Sequence, residues 1–141
     1  MTDRSVIAAL EAAVHRVLDH LAAELSDVRL RQAEVNVLAQ LRPGAPRSVG
    51  ELVVATGQRP STLTGVLDRL ERRRLVRRRV NPADRRSFTI ALTASGERAA
   101  ARVHAASAAL DDAVLAELPP SAANGFHRVL DALERQTQGR S

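Results

Sequence analysis

Residues 48–92 read SVGELVVATGQRPSTLTGVLDRLERRRLVRRRVNPADRRSFTIAL, and the fold turns on this stretch. Ser48 and Glu51 form an S-x-x-E box, in which a hydroxyl and a carboxylate satisfy orphaned N–H groups at a helix start. Leu52, Val53 and Val54 carry that helix to Ala55. Thr56-Gly57-Gln58 is a turn whose glycine can adopt the left-handed backbone that ends a helix. Pro60 suits the first turn of a second helix, because its ring presets φ and its missing N–H would go unpaired there. In that helix Leu63, Val66, Leu67 and Leu70 recur at helical spacing and form a stripe that must face a core. The opposite face displays Arg59, Ser61, Thr62, Gly65 and Arg69, with Thr64 on its flank.

Two strands are predicted next, at Leu75–Val80 and Ser87–Leu92, with Phe88, Ile90 and Leu92 on one face. Their connection, Asn81-Pro82-Ala83-Asp84-Arg85-Arg86, opens with turn formers and closes on two arginines, so a charged loop is expected to project from the hairpin. A helix of small hydroxyls and guanidinium groups beside such a hairpin suits the major groove of duplex DNA, where its N-terminal residues meet base edges and phosphates.

Val6, Leu10, Val14, Val17, Leu21 and Leu25 mark an amphipathic helix over about 4–25, which Ser26 and Asp27 interrupt. A further helix is expected at about 31–41, with Ala33, Val37, Leu38 and Leu41 inward and Pro43-Gly44-Ala45-Pro46 closing it. After the hairpin, Thr93 caps a long alanine-rich helix with Val103, Leu110, Val114 and Leu118 on its apolar side. Pro119-Pro120 stops it, Ser121 caps a last helix with the stripe Phe126, Val129, Leu130 and Leu133, and the polar tail after Gln136 is expected to fray.

The expected architecture is mainly α with a small β-hairpin wing. A single domain over 1–141 contains a winged helix-turn-helix at 30–92, with a recognition helix at about 59–73 and a wing at 81–86, flanked by dimerisation helices at 4–25 and 94–136. The core of the reading unit cannot cover the apolar stripes of the flanking helices, so a second copy across a two-fold axis is expected to cover them. Such a homodimer sets its recognition helices about one turn of DNA apart, roughly 34 Å, and reads a pseudo-palindrome.

Charge supports the same partner. The 141 residues carry a net +5, and residues 59–86 hold ten arginines against Asp68, Glu71 and Asp84, a local +7 that leaves −2 for the remainder. A basic patch on an otherwise slightly acidic chain is the footprint of a polyanion-binding protein. Every basic residue of the 21 is arginine, and cysteine is absent, which excludes disulfides and thiolate metal sites. Neither a signal sequence nor a membrane span is discernible, so a cytoplasmic protein with no membrane partner is expected.

Other functions fit less well. His15, His20, His104 and His127 lack the spacing and carboxylate company of a metal site, and no metal or cofactor is expected. No glycine-rich phosphate loop or nucleophile motif is present, and Ser61, Thr62 and Asp84 have no histidine nearby for a triad, so no enzyme is expected. RNA binding is the first alternative, disfavoured by an aromatic content of 1%, because single-stranded RNA modules stack bases on exposed rings. The second is an adaptor that keeps the fold without binding DNA, which has no use for concentrated arginine.

The residues QAEVNVLAQL at 32–41, RPSTLTGVLDRLERRRLVRR at 59–78 and NPADRRSFTIALTASG at 81–96 resemble the multiple-antibiotic-resistance regulator (MarR) family of bacterial transcription factors. D-R-R-S at 84–87 followed by L-T-x-x-G at 92–96 is the most specific part of the likeness, which extends over nearly the whole chain. The resemblance implies a homodimer whose first, fifth and sixth helices interlock, with the fourth helix in the major groove and a wing arginine in the minor groove. Carried over by position, Arg86 is that arginine, Arg85 meets a phosphate, and Asp84 shapes the wing. Ser61, Thr62 and Thr64 stand where relatives touch phosphates and base edges, with Arg59 near the helix start. The family also implies repression more often than activation, and a small aromatic or phenolic anion as effector.

Two positions depart from the family pattern. Gly65 stands where relatives often carry a large basic or polar residue, which shifts expected base readout to Arg59, Thr64 or Arg69. Arg74 replaces the usual glycine after the recognition helix, at a cost on the order of 1 kcal/mol if the left-handed conformation is kept.

Overall fold

The computed structural model describes residues 5–138. The expectations for residue 4 and for the tail beyond 138 lie outside the described residues. Contacts divide the chain into two compact units, one ending at Ala106 and the other beginning at Ser107.

The first unit opens with α1 (Val6–Glu24), whose N-cap Ser5 accepts the Ala8 N–H. A 3-10 turn at Ser26–Val28 follows, unannounced by any apolar period, and leads to Arg29 with a left-handed backbone (φ 54°). α2 spans Gln32–Ala39, shorter than expected. Gln40 and Leu41 close it with single i−3 bonds, and Arg42 then bridges Ala45 around the Pro43-Gly44 turn. At its start Glu34 folds back to accept the Arg31 N–H at 3.1 Å.

β1 (Arg47–Ser48) is a third strand that the sequence does not betray, since two residues carry no period. α3 (Val49–Thr56) starts where Ser48 Oγ accepts the Glu51 N–H, and ends at Gly57 with φ 67°. α4 (Pro60–Arg72) has Pro60 in its first turn and buries Leu63, Val66, Leu67 and Leu70, the stripe expected to face the core. Its end is a Schellman closure, with Arg74 N–H donating to the Glu71 carbonyl and Leu75 N–H to the Leu70 carbonyl, both at 2.9 Å. Arg74 keeps the left-handed conformation, φ 57°, that a glycine would adopt without strain.

β2 (Val76–Asn81) and β3 (Asp84–Leu92) pair antiparallel, and β1 joins the far edge of β3, giving the order β1-β3-β2. Ile90 and Leu92 are buried, whereas Phe88, on the same face, remains partly exposed. α5 (Ala94–Ala116) begins where Thr93 Oγ1 accepts the Gly96 N–H at 3.0 Å. The core of this unit is aliphatic throughout, from Leu21 and Leu25 through Leu38, Leu52 and Leu67 to Val103. Val6, Val14 and Val17 of α1 stay outside it.

His104 of α5 is half-buried against α2, with Nε2 meeting the Arg42 guanidinium and lying 3.3 Å from the Ala39 carbonyl. Burial first, and the Arg42 charge second, push its pKa below the ordinary histidine value. The fold therefore favours the neutral ring. Its contribution to stability is complete above about pH 6.5 and declines as pH falls through the lowered folded value. His104→Gln is expected to flatten the acid limb of a melting-temperature profile between about pH 8 and pH 5. A variant with an unchanged acid limb would assign that limb to other groups.

The second unit holds the end of α5 and α6 (Pro120–Thr137). α5 finishes at Ala116, two residues before the expected Leu118, as Glu117 and Leu118 close it with i−3 bonds to Val114 and Leu115. Ser121 does not cap α6. Pro120 takes the first helical position and Pro119 is the N-cap, because a proline at that position has no N–H to satisfy. No residue of α6 is buried, and Phe126 and Val129 are exposed.

Candidate nucleic-acid interface

At the start of α4, Arg59 is the N-cap but offers no side-chain acceptor to the first turn. Pro60 has no N–H, and the Leu63 N–H is taken by the Arg59 carbonyl. The N–H groups of Ser61 and Thr62 therefore face outward at the positive end of the helix dipole, where an anion is favoured. The side chains of Arg59, Ser61, Thr62 and Thr64 are exposed there. Thr64 Oγ1 donates to the Pro60 carbonyl at 2.9 Å, which fixes its rotamer and leaves its lone pairs outward. A Cβ built on Gly65 would meet only Arg69 Nη1, at 3.7 Å, so the glycine is not required by crowding and leaves a notch in the open face.

The wing differs from the expected six-residue loop. Its turn is Pro82-Ala83 alone, and Asp84, Arg85 and Arg86 belong to β3. Side chains tighten the turn: Asn81 Oδ1 accepts the Ala83 N–H at 3.0 Å, Asn81 Nδ2 donates to Ser87 Oγ at 3.2 Å, and Ser87 Oγ donates to the Asp84 carbonyl at 3.1 Å. Asp84 Oδ1 accepts the Arg86 N–H at 3.0 Å, so the carboxylate sets the backbone from which Arg86 extends. The side chains of Arg85 and Arg86 are exposed and form no ion pair among the described residues.

Arg69 stands on the same face of α4 as Gly65, but its guanidinium is engaged. Its Nε donates to Glu34 Oε1 at 3.1 Å, and Glu34 is only 3% exposed. A buried carboxylate requires such a partner, so this guanidinium joins α4 to α2. Sequence reading also missed Arg78, which pins the wing to α4. Its Nη2 donates to Asp68 at 3.0 Å, its Nε lies 3.5 Å from Glu71, and its guanidinium stands 5.7 Å from the centre of the Phe88 ring. The available signal was the alternation of Val76, Arg78 and Val80, which puts Arg78 on the strand face turned to α4. One consequence is electrostatic. Arg78 occupies both acids of α4, while Arg77 and Arg79 on the opposite strand face stay exposed.

Residues 26–87 match the model of the MarR family. The chain is 30% identical to a MarR family protein of Mycobacterium tuberculosis whose structure was solved with p-aminosalicylic acid, over 92% of this chain and 99% of that one, with a TM-score of 0.63. This chain belongs to the MarR family. Bordetella bronchiseptica BpsR, described for regulation of its DNA binding by 6-hydroxynicotinic acid, is 25% identical over 95% of this chain and 96% of that one, with a TM-score of 0.75. The HTH-type transcriptional repressor NicR of Pseudomonas putida is 37% identical over 70 residues, 50% of this chain and 44% of NicR. The matched stretch thus spans less than half of that repressor's length.

Proposed function

We propose that this MarR family member is a cytoplasmic transcriptional repressor that binds a pseudo-palindromic operator as a homodimer and is released by a small aromatic acid. The observation that carries the DNA part is the uncapped start of α4, with Arg59, Ser61 and Thr62 exposed around it and Arg85 and Arg86 free on β3. Open N–H groups and unpaired guanidinium groups are donors without acceptors, and the phosphates and base edges of a duplex supply acceptors. Arg86 is assigned to the minor groove, Arg85 to a phosphate, and Asp84 to holding the turn between them. Dimerisation is supported by Val6, Val14 and Val17 on α1 and by Phe126 and Val129 on α6, apolar groups left exposed within their own units. The ligand class is carried from the relatives whose descriptions name 6-hydroxynicotinic acid and p-aminosalicylic acid.

The test begins with selection of bound sequences from random duplex DNA, which should return a palindrome. Arg86→Ala should then weaken binding to it by about 1–3 kcal/mol, roughly five- to 150-fold, with the dimer intact in sedimentation. The substitution leaves the backbone bond to Asp84 in place, so the wing keeps its shape. Unchanged affinity in a gel-shift series would remove the wing from the mechanism, and preference for single-stranded RNA over any duplex would sink the DNA reading itself.

A further inference from the structure

Away from the open start of α4, at its other end, five arginines border one cleft of about 580 Å³: Arg29, Arg31, Arg69, Arg72 and Arg73, with Glu34 as the one acid among them. The carboxylate is already saturated. Its Oε1 accepts from Arg69 Nε, and its Oε2 accepts the Arg31 N–H and lies 3.6 Å from Arg73 Nη1. Among the described residues no acid pairs with the side chains of Arg29, Arg31 or Arg72. Like charges gathered around one cleft repel one another, and the described residues supply no further counter-charge.

The backbone around the cleft is also strained. Arg29 and Arg74 are the two non-glycine residues with positive φ among the described residues, at 54° and 57°. One lines the cleft, and the other follows Arg73, whose Nη1 and Nη2 donate to the Arg29 and Val28 carbonyls at 2.8 Å. Both left-handed residues close a helical segment, and together they fix the backbone on either side of the cationic hollow. Base reading does not account for the cleft. Pro60 and Arg72 are twelve residues apart on α4, about 18 Å along the axis, so the cleft stands well away from the N-terminal residues that meet base edges.

We propose that this cleft is a second, separate anion site that takes a phosphoryl group, either on a small phosphate ester or on a DNA backbone segment outside the recognition half-site. Guanidinium forks match the paired oxygens of a phosphate. Arg69 and Arg73, held by Glu34 and by backbone carbonyls, form a fixed floor, and the exposed Arg31 and Arg72 close on the ligand.

Inorganic pyrophosphate is the probe. At millimolar concentration it should raise the melting temperature of the full-length protein by about 5 °C over sodium chloride at equal ionic strength, because a ligand bound only by the folded state stabilises it. The double variant Arg31→Gln, Arg72→Gln should lose that shift, while Arg85→Ala, Arg86→Ala should keep it. Both pairs are exposed and outside the core, so folding is retained, and far-ultraviolet circular dichroism checks it. Absence of any shift beyond the chloride control, or a shift that survives in Arg31→Gln, Arg72→Gln, overturns the site. The source of the phosphate follows from binding to a random-sequence duplex. A salt slope lowered by about 1–2 in the Arg31→Gln, Arg72→Gln variant assigns the cleft to DNA backbone, and an unchanged slope assigns it to a free phosphate ester.

Discussion

Gly96→Ala should lower stability by about 2–4 kcal/mol, the largest loss expected from one added methyl group in this chain. Gly96 lies in the first turn of α5, and a Cβ there would fall 1.7 Å from the Leu75 carbonyl oxygen and 2.8 Å from its carbon. Real Cβ atoms essentially never come within 3.0 Å of another heavy atom, so α5 would have to retreat from the base of the wing by at least 1.3 Å. The joint has no slack. Leu75 O already accepts the Thr93 N–H at 3.1 Å, Thr93 Oγ1 donates to the Arg74 carbonyl at 2.5 Å, and Arg74 is itself held left-handed by the closure of α4. Retreat therefore breaks the bonds from Thr93 to the Leu75 and Arg74 carbonyls that join α5 to the base of the wing. In a thermal melt the loss corresponds to a fall of about 10 °C or more, while the exposed neighbour substitution Ser95→Ala should stay within about 0.5 kcal/mol. A Gly96→Ala protein melting within about 2 °C of the parent would mean that the joint yields freely. The same joint fixes where β2 leaves α4, so the variant should also bind DNA more weakly than the parent at equal temperature.

That glycine illustrates where the sequence was legible and where it was not. L-T-x-x-G is readable as a pattern, yet its physical reason, a carbonyl lying where a side chain would begin, exists only in three dimensions. The helix-turn-helix was legible because its signals are local: Ser48 caps, Gly57 turns left-handed, Pro60 starts a helix, and the Leu63 to Leu70 stripe keeps a helical period. The wing was legible only as a hairpin. Its tightness comes from Asn81, Asp84 and Ser87 bonding across the turn, and a list of turn-forming residues does not say which side chains will meet. Charged residues were the least legible. Glu34 drew no notice in the sequence, but it is the buried hub for Arg69 and Arg73. Arg69 and Arg78 count towards a basic patch in sequence, whereas folding assigns one to Glu34 and the other to Asp68 and Glu71. Formal charge therefore overstates what the surface offers to DNA, and by an amount that only pairing reveals.

What remains after pairing sets the second large effect. Arg59, Arg77, Arg79, Arg85 and Arg86 are exposed and form no ion pair among the described residues. In a dimer they are ten cations, and a complex in which six to ten of them meet phosphates displaces a counterion at each with a slope of about −0.9. Affinity for duplex DNA should then fall by about 10³ to 10⁵ between 50 and 200 mM salt. Arg78 neutralises Asp68 and Glu71 on the reading helix, so their charges do not oppose the approach of phosphates. Reversing that arrangement is informative. Arg78→Ala frees two carboxylates beside the reading helix, so it should lower affinity without lowering the number of phosphates contacted, whereas Arg85→Ala should reduce the slope itself by about 0.9 for each chain that contacts a phosphate. Fluorescence anisotropy against a labelled duplex across the salt range separates the two, one by intercept and the other by gradient. A fall of less than tenfold over that range would mean that the exposed guanidinium groups do not lie on phosphates, and the start of α4 would then lose its assignment to the major groove.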